Sequence, residues 1–394
     1  MKKISLKKVA ISALLILNAG GFYNLKNASA GDITDKTMIS SSSTDLTMFN
    51  SPESLTTEQT NAVHKYAPVI FQETRKNSNP AAWDFITSYD FDGDLKGSNN
   101  EASLKSNKYV MPATIYYSLV ESETHYFIVY SLFHPLDWDT VPAFIPFSWH
   151  ENDMENVQVV IRKKTDKLPE SVILLSAQAH LDTEVSTIST AGISSTSKKT
   201  LNNKEIRLLS EDLTETHATH PGLYVEPGGH GIYNMNSNLK RFSDLSKPKL
   251  KEGFTFIPST AESNVPDVYS ADATTYRYQL KSIYDNFWTS YQNKANMGNG
   301  KLMDGSFSYK DELVSYQNIP RHFDSSRLSG PGKSDSGILP FAFSYSLGSK
   351  DLGSIFFNPA KKYSETLKIE GEWSKKYTYN PYIKDVIQLS KSSK

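Results

Sequence analysis

The run HYFIVYSLF, from His125 to Phe133, leaves little choice about where it can lie. Its odd and even positions are both apolar, so as a strand it presents an apolar surface on each side. Such a strand belongs in the middle of a sheet, with further layers covering both faces. The segments around it read as its neighbours. Tyr109–Val120 comes before it, VQVVIR alternates after it, and SVILLSAQ follows at Ser171–Gln178. A short strand at Gly222–Glu226 leads into PGGHGIY. Aromatic usage is high, with 22 Tyr and 19 Phe, which fits strands. The expected class is mainly β: an antiparallel β-sandwich core with peripheral helices and a Gly- and aromatic-rich C-terminal extension.

The stretch FSWHENDMENVQVVIR contains an anomaly. Val157, Val159 and Ile161 share one face of a strand, and the same period-2 register carries that face back to Glu155 and Asp153. Carboxylates at the end of a buried face are unfavourable unless a positive group compensates them. A divalent cation is one candidate, and Arg162 or Arg207 is the rival. With residues 147–152 as a loop and the strand starting near Asp153, His150 can fold back toward the two acids.

Seven of the nine histidines fall between residues 125 and 230, mostly beside acids. FHPLDWD offers His134, Asp137 and Asp139; AHLDTE offers His180, Asp182 and Glu184. HATHPGLYVEPGGHG offers His217, His220, Glu226 and His230. Carboxylate and imidazole together suit Mg, Ca, Mn or Zn, and the absence of cysteine removes thiolate sites and thiol nucleophiles. The candidate metal ligands are His150, Asp153, Glu155, Asp137 and Asp139. If the protein is an enzyme, His180, His220 and His230 are the candidate acid–base groups. Glycines on both sides of His230 also allow an unusual backbone or the close approach of a ligand.

Other signals are weaker. Asp90, Asp92, Asp94 and Glu101 match four positions of an EF-hand loop, but Leu95 stands where glycine is required. There is no G-x-S-x-G, and GPGKSDSG lacks the spacing of a phosphate loop.

The N-terminus reads as an export signal. Lys2, Lys3, Lys7 and Lys8 precede an apolar run, and Ala28-Ser29-Ala30 offers a cleavage site. Residues 31–53 read as a disordered leader and 54–394 as one large domain, with a candidate sub-boundary at 240–265 around KPKLKEG. A short helix is expected over Thr57–Lys65. A long one is expected in YQLKSIYDNFWTSYQ, where Leu280, Ile283, Phe287, Trp288 and Tyr291 follow helical spacing. Without residues 1–30, which carry five lysines and no acid, 37 basic side chains face 43 acidic ones. Nothing in that balance favours a nucleic-acid partner.

HENDMENVQVV resembles the motif region of the necrosis-inducing Nep-like proteins, whose heptapeptide Gly-His-Arg-His-Asp-Trp-Glu precedes a strand. His150 matches the first His, Asp153 the Asp and Glu155 the Glu. Trp149, Asn152 and Met154 depart from the leading Gly, the second His and the Trp. The resemblance implies a secreted β-sandwich that holds a divalent cation with these residues and recognises sphingolipid head groups. HENDMEN and PGLYVEPGGHGIY are also similar to segments of vacuolar-sorting-type proteins.

Three functions follow as expectations. The first is a secreted, cation-dependent binding protein or toxin-like effector for a glycan or lipid head group, with peripheral membrane contact. The second is a metal-dependent hydrolase of phosphodiesterase type acting on a small-molecule substrate. The third is a scaffold protein stabilised by an ion.

Overall fold

The computed structural model describes residues 54–75, 81–94, 99–106, 108–138, 150–179, 182–196, 201–285, 302–309, 312–320, 355 and 358–381. The expected export signal and leader, Asp139, His180, residues 330–337 and most of the expected C-terminal aromatic extension lie outside them.

The first helix, α1 (Thr57–Lys65), is closed by a capping box. Thr56 accepts the Gln59 backbone N–H, and the Gln59 side chain accepts the Thr56 N–H. Strand β1 (Val69–Glu73), a 3-10 turn (Ala81–Asp84) and helix α2 (Asn100–Ser106) follow. The next strands are β2 (Thr114–Ser122), β3 (His125–Asp137), β4 (His150–Arg162), β5 (Ser171–Ala179) and β6 (Asp182–Thr187). Then come the short β7 (Ile193–Ser195) and β8 (Leu208–Leu209), β9 (His220–Val225) and β10 (Ile232–Asn234). A small pair, β11 (Phe242–Asp244) and β12 (Lys249–Leu250), precedes β13 (Gly253–Pro258) and β14 (Thr275–Ser282). A hairpin of β15 (Leu302–Tyr309) and β16 (Glu312–Pro320), helix α3 (Pro359–Thr366), β17 (Leu367–Ile369) and β18 (Tyr377–Tyr379) complete the described elements.

The main sheet runs β10-β9-β1-β13-β14-β2-β3-β4-β5-β6. It is mixed, and this corrects the expectation of an antiparallel sandwich. β1–β9, β13–β14 and β14–β2 are parallel pairs, whereas β2 to β6 form an antiparallel meander. The hydrophobic period specifies which face is buried but not which strand returns alongside, so the pairing direction was not readable. The sheet curls into a half-barrel. Glu184 of β6 accepts the backbone N–H of Asn234 on β10 at 3.1 Å and the Ser237 hydroxyl at 2.9 Å, tying the two ends of the curl together.

β3 lies inside the sheet and is buried along its whole length, as its sequence demands. Tyr130, Leu132, Val157, Val159 and Ile161 pack on one side with Phe256, Tyr276 and Tyr278. Phe127, Phe133, Met154 and Val160 pack on the other, under Tyr363 of α3. Each such side chain contributes roughly 1.5–3 kcal/mol when fully buried.

The long helix expected at YQLKSIYDNFWTSYQ is not formed over its first part. Residues 275–282 are strand β14, with Tyr276, Tyr278 and Leu280 buried in alternation; residues 286–292 lie outside the described residues. Leu280 and Ile283 satisfied a helical period, but the Tyr276-Tyr278-Leu280 alternation and the flanking strands decided the outcome.

Candidate functional site

The β3–β4 ladder is regular where the acids lie. Leu136 faces Glu151, His134 faces Asp153, Leu132 faces Glu155 and Tyr130 faces Val157. The apolar face does continue into carboxylates, and Asp153 and Glu155 are both buried. Opposite Asp153 stands an imidazole, His134.

A second imidazole arrives from the Gly-rich turn between β9 and β10. His230 has φ 52°, a left-handed conformation uncommon for a residue with a side chain, and Gly228, two residues before it, has φ 87°. Strain of this kind, on the order of 1–3 kcal/mol, persists where the surroundings over-determine it. Here they do. His230 Nδ1 lies 2.7 Å from Asp153 Oδ2, and its Nε2 lies 3.2 Å from Asp84 Oδ1. Both ring nitrogens face carboxylates, so both carry protons and the ring is an imidazolium. Burial opposes that charge, but hydrogen bonds to Asp153 and Asp84 outweigh it and push the pKa up to about 10.

Asp84 ends the 3-10 turn and is fully enclosed. Its Oδ1 also accepts the Trp138 indole N–H and the Gly228 backbone N–H, each at 2.9 Å. The Gly-rich turn, the end of β3 and the 3-10 turn are thus joined at one carboxylate.

The His134 ring stacks on His230, with centroids 3.6 Å apart and planes 4° from parallel. Its protonation state follows from Gln72 on β1. The Gln72 amide nitrogen donates to the carbonyls of Glu73 and Glu226, so its oxygen is an acceptor. His134 Nε2, 3.0 Å away, must carry the proton it donates. That leaves Nδ1 as a lone pair, buried and without a hydrogen-bond partner. Burial first, and the charge on His230 second, hold His134 well below its usual pKa and therefore neutral. Gln72 itself is placed by Gly253 of β13, where any Cβ would lie 2.1 Å from the Gln72 carbonyl oxygen.

One ligand atom each from His134, Asp153 and His230 lie within 4.8 Å of one another. Glu155 is close enough to act on Tyr233, whose hydroxyl is raised first by burial and then by Glu226, Glu155 and Glu184. Three of the acid-rich segments of the sequence therefore converge beside this strand end.

The other expected residues are distributed differently. β4 is regular from His150, which pairs with Asp137 across the ladder rather than lying in a loop ahead of Asp153. Asp137 is buried but out of step with His134, on the opposite face of the sheet. His220 is apart from the cluster, with Nδ1 2.6 Å from the Ala67 carbonyl. Its pKa is lowered by burial, which the carbonyl partly offsets. Neither arginine rival meets the acids. Arg162 reaches the Pro169 carbonyl, and Arg207 pairs with Glu215 at 2.8 Å. The basic group that answers Asp153 is His230. Asp84 and Gln72 carried no sequence signal; His134 carried one, since it shares the odd-to-even register that sets Asp153 opposite it.

No protein-family model and no curated protein sequence matches this chain. Among solved structures, three Nep1-like proteins resemble it at low scores. The crystal structure of a non-toxic HaNLP3 protein gives a TM-score of 0.29 at 14% identity, covering 62% of this chain and 85% of that one. A structure described as a toxin fold for microbial attack and plant defense gives 0.29 at 15% identity, covering 62% and 83%. NLPPya in complex with mannosamine gives 0.28 at 14% identity, again covering 62% and 83%. The likeness to vacuolar-sorting-type proteins finds no support in these comparisons.

Proposed function

We propose that this is an exported, divalent-cation-dependent binding protein of the toxin-like effector kind, which recognises a glycan or lipid head group. The observation that carries the reading is the cluster of His134, Asp153 and His230. A bare lone pair, His134 Nδ1, is buried beside a carboxylate and a second imidazole, a donor set suited to Zn or Mn as well as to harder ions. The residues fit an ion on one condition: His230 must release a proton before it can act as a ligand. Such an ion would replace the imidazolium charge and supply a fixed positive centre at the acidic strand end. Glu155, two residues along β4 and on the same face as Asp153, is the candidate for a further ligand.

Enclosure of the cluster favours binding over hydrolysis. His134, Asp153 and His230 are all buried, whereas a hydrolytic centre needs a coordination position that substrate can reach. His220, a candidate acid–base group, is engaged by a backbone carbonyl. The target class comes from the motif likeness around HENDMEN, and export from residues 1–30. Among the described residues no helix is long and apolar enough to cross a membrane. Binding of the secreted chain to immobilised glycans and to sphingolipid-containing vesicles, with and without chelator, tests this reading. Metal-dependent retention that Asp153→Asn abolishes is expected; retention unchanged by chelator contradicts it.

A further inference from the structure

At the opposite end of the β3–β4 hairpin lies a cavity of about 520 Å³, unconnected with the proposed cation cluster. Its size falls within the roughly 300–1,000 Å³ of small-molecule sites. Leu168, Ile173, Ala191 and Ile369 give it an apolar wall. Of its polar lining groups, the buried His125 and the half-buried Arg162 face each other across the ladder, while Thr165, Asp166, Lys167, Glu370 and Glu372 are exposed at the rim.

His125 is held firmly. The Thr124 hydroxyl accepts the Ser374 backbone N–H at 2.9 Å and lies 2.8 Å from His125 Nδ1. The ring is further fixed by Trp373, with centroids 4.3 Å apart. Burial first, then Arg162 and Lys163, lower its pKa to about 3, so at neutral pH it is an uncharged N–H donor.

Arg162 is unusual for a half-buried cation. Its neighbour Lys163 pairs with Glu121 and lies over the Tyr126 ring. Arg162 forms no ion pair among the described residues; its guanidinium makes a long 3.5 Å contact with the Pro169 carbonyl, and its buried Nε has no partner. Opposite it, the register shift between Val160 and Ile161 leaves Ile173 as an extra residue on β5, a bulge of the kind that re-aims side chains. A guanidinium left uncompensated beside a neutral N–H and an apolar wall matches one ligand chemistry, a carboxylate on an apolar body. The rim adds a restriction. Asp166, Glu370 and Glu372 are exposed there against a single Lys167, which disfavours polyanions such as nucleotides.

We infer that this cavity is a binding site for a small amphiphilic monocarboxylate, with the carboxylate on Arg162 and His125 and the apolar body against Leu168, Ile173 and Ile369. Isothermal titration of the secreted chain with sodium octanoate tests it, with octan-1-ol and octylamine as controls. Saturable one-to-one binding of octanoate, tighter than either control, is expected. Arg162→Gln should weaken it about tenfold or more, the loss of a charge-assisted contact. Leu168→Glu, on an exposed loop that the fold does not depend on, should weaken it comparably while leaving thermal stability unchanged. Absence of saturable octanoate binding, equal or tighter binding of either control, or full affinity in both variants overturns the assignment.

Discussion

The two ends of the β3–β4 hairpin solve the same problem, a buried histidine, in opposite ways. At the start of β3, His125 stands across from Arg162, with Lys163 beside it, and stays neutral. Near the end of β3, His134 stands across from Asp153, and its stacked neighbour His230 is charged because two carboxylates hold it. The ladder is the same, and both of its histidines stay neutral; the charge rests on His230, whose two ring nitrogens each meet a carboxylate. One end offers a guanidinium, Arg162, that forms no ion pair among the described residues; the other holds a concentration of acids answered by a single imidazolium.

Removing the facing residue should separate the two ends most clearly. Asp153→Ala leaves His230 buried with one carboxylate fewer and should lower unfolding free energy by about 3–5 kcal/mol in chemical denaturation. Arg162→Ala at the other end should lower it by about 1 kcal/mol, mainly through lost packing of its stem. Equal losses would break the comparison.

Alkali should act on the cation end alone, whereas acid acts on both ends, since His134 is held neutral by burial as His125 is. The folded chain refuses His125 the proton that the unfolded chain accepts, so its contribution falls as pH drops below about 6.5, by about 2 kcal/mol at pH 5. His125→Gln should flatten that acid limb. His230 has a raised pKa, so its stabilisation is complete below about 6.5 and is lost as pH rises through about 10. With chelator present, His230→Gln should flatten the alkaline limb alone. Thermal melts across pH read both effects, and a variant that flattens the wrong limb reverses the assignment.

The smallest expected effect concerns the hydroxyl that positions His125. Thr124→Val removes an acceptor for the Ser374 N–H and the hydrogen-bond partner of His125 Nδ1, and should destabilise by about 1 kcal/mol. Hydrogen exchange at the Ser374 amide should accelerate, with Asp153 and its neighbours unaffected.

The sequence shows some of this fold directly and conceals the rest for identifiable reasons. HYFIVYSLF specified a central strand because both of its faces are apolar, and the register of VQVVIR placed Asp153 and Glu155 on the core side. The mixed character of the sheet was not legible, since β9, β13 and β14 join it across long stretches of chain. Residues 275–282 satisfied two periodicities at once, and pairing with β2 and β13 selected the strand. At the site, Asp153 and His230 were each recognisable as unusual, but nothing local said that they touch. Asp84 was invisible, because a carboxylate in AAWD becomes remarkable only when Trp138, Gly228 and His230 all donate to it. His150 was misplaced by assuming a loop where β4 already begins.

The central claim is that the strand end holding His134, Asp153 and His230 takes a divalent cation. Elemental analysis of the native protein, followed by titration of the chelated protein with Zn, Mn, Ca and Mg, tests it directly. The account predicts one ion per chain, binding that weakens as pH falls and releases a proton, a rise in melting temperature, and loss of all three in Asp153→Asn. A chain that contains no stoichiometric metal, whose melting temperature no ion changes, would contradict it and leave His230 as the permanent counter-charge.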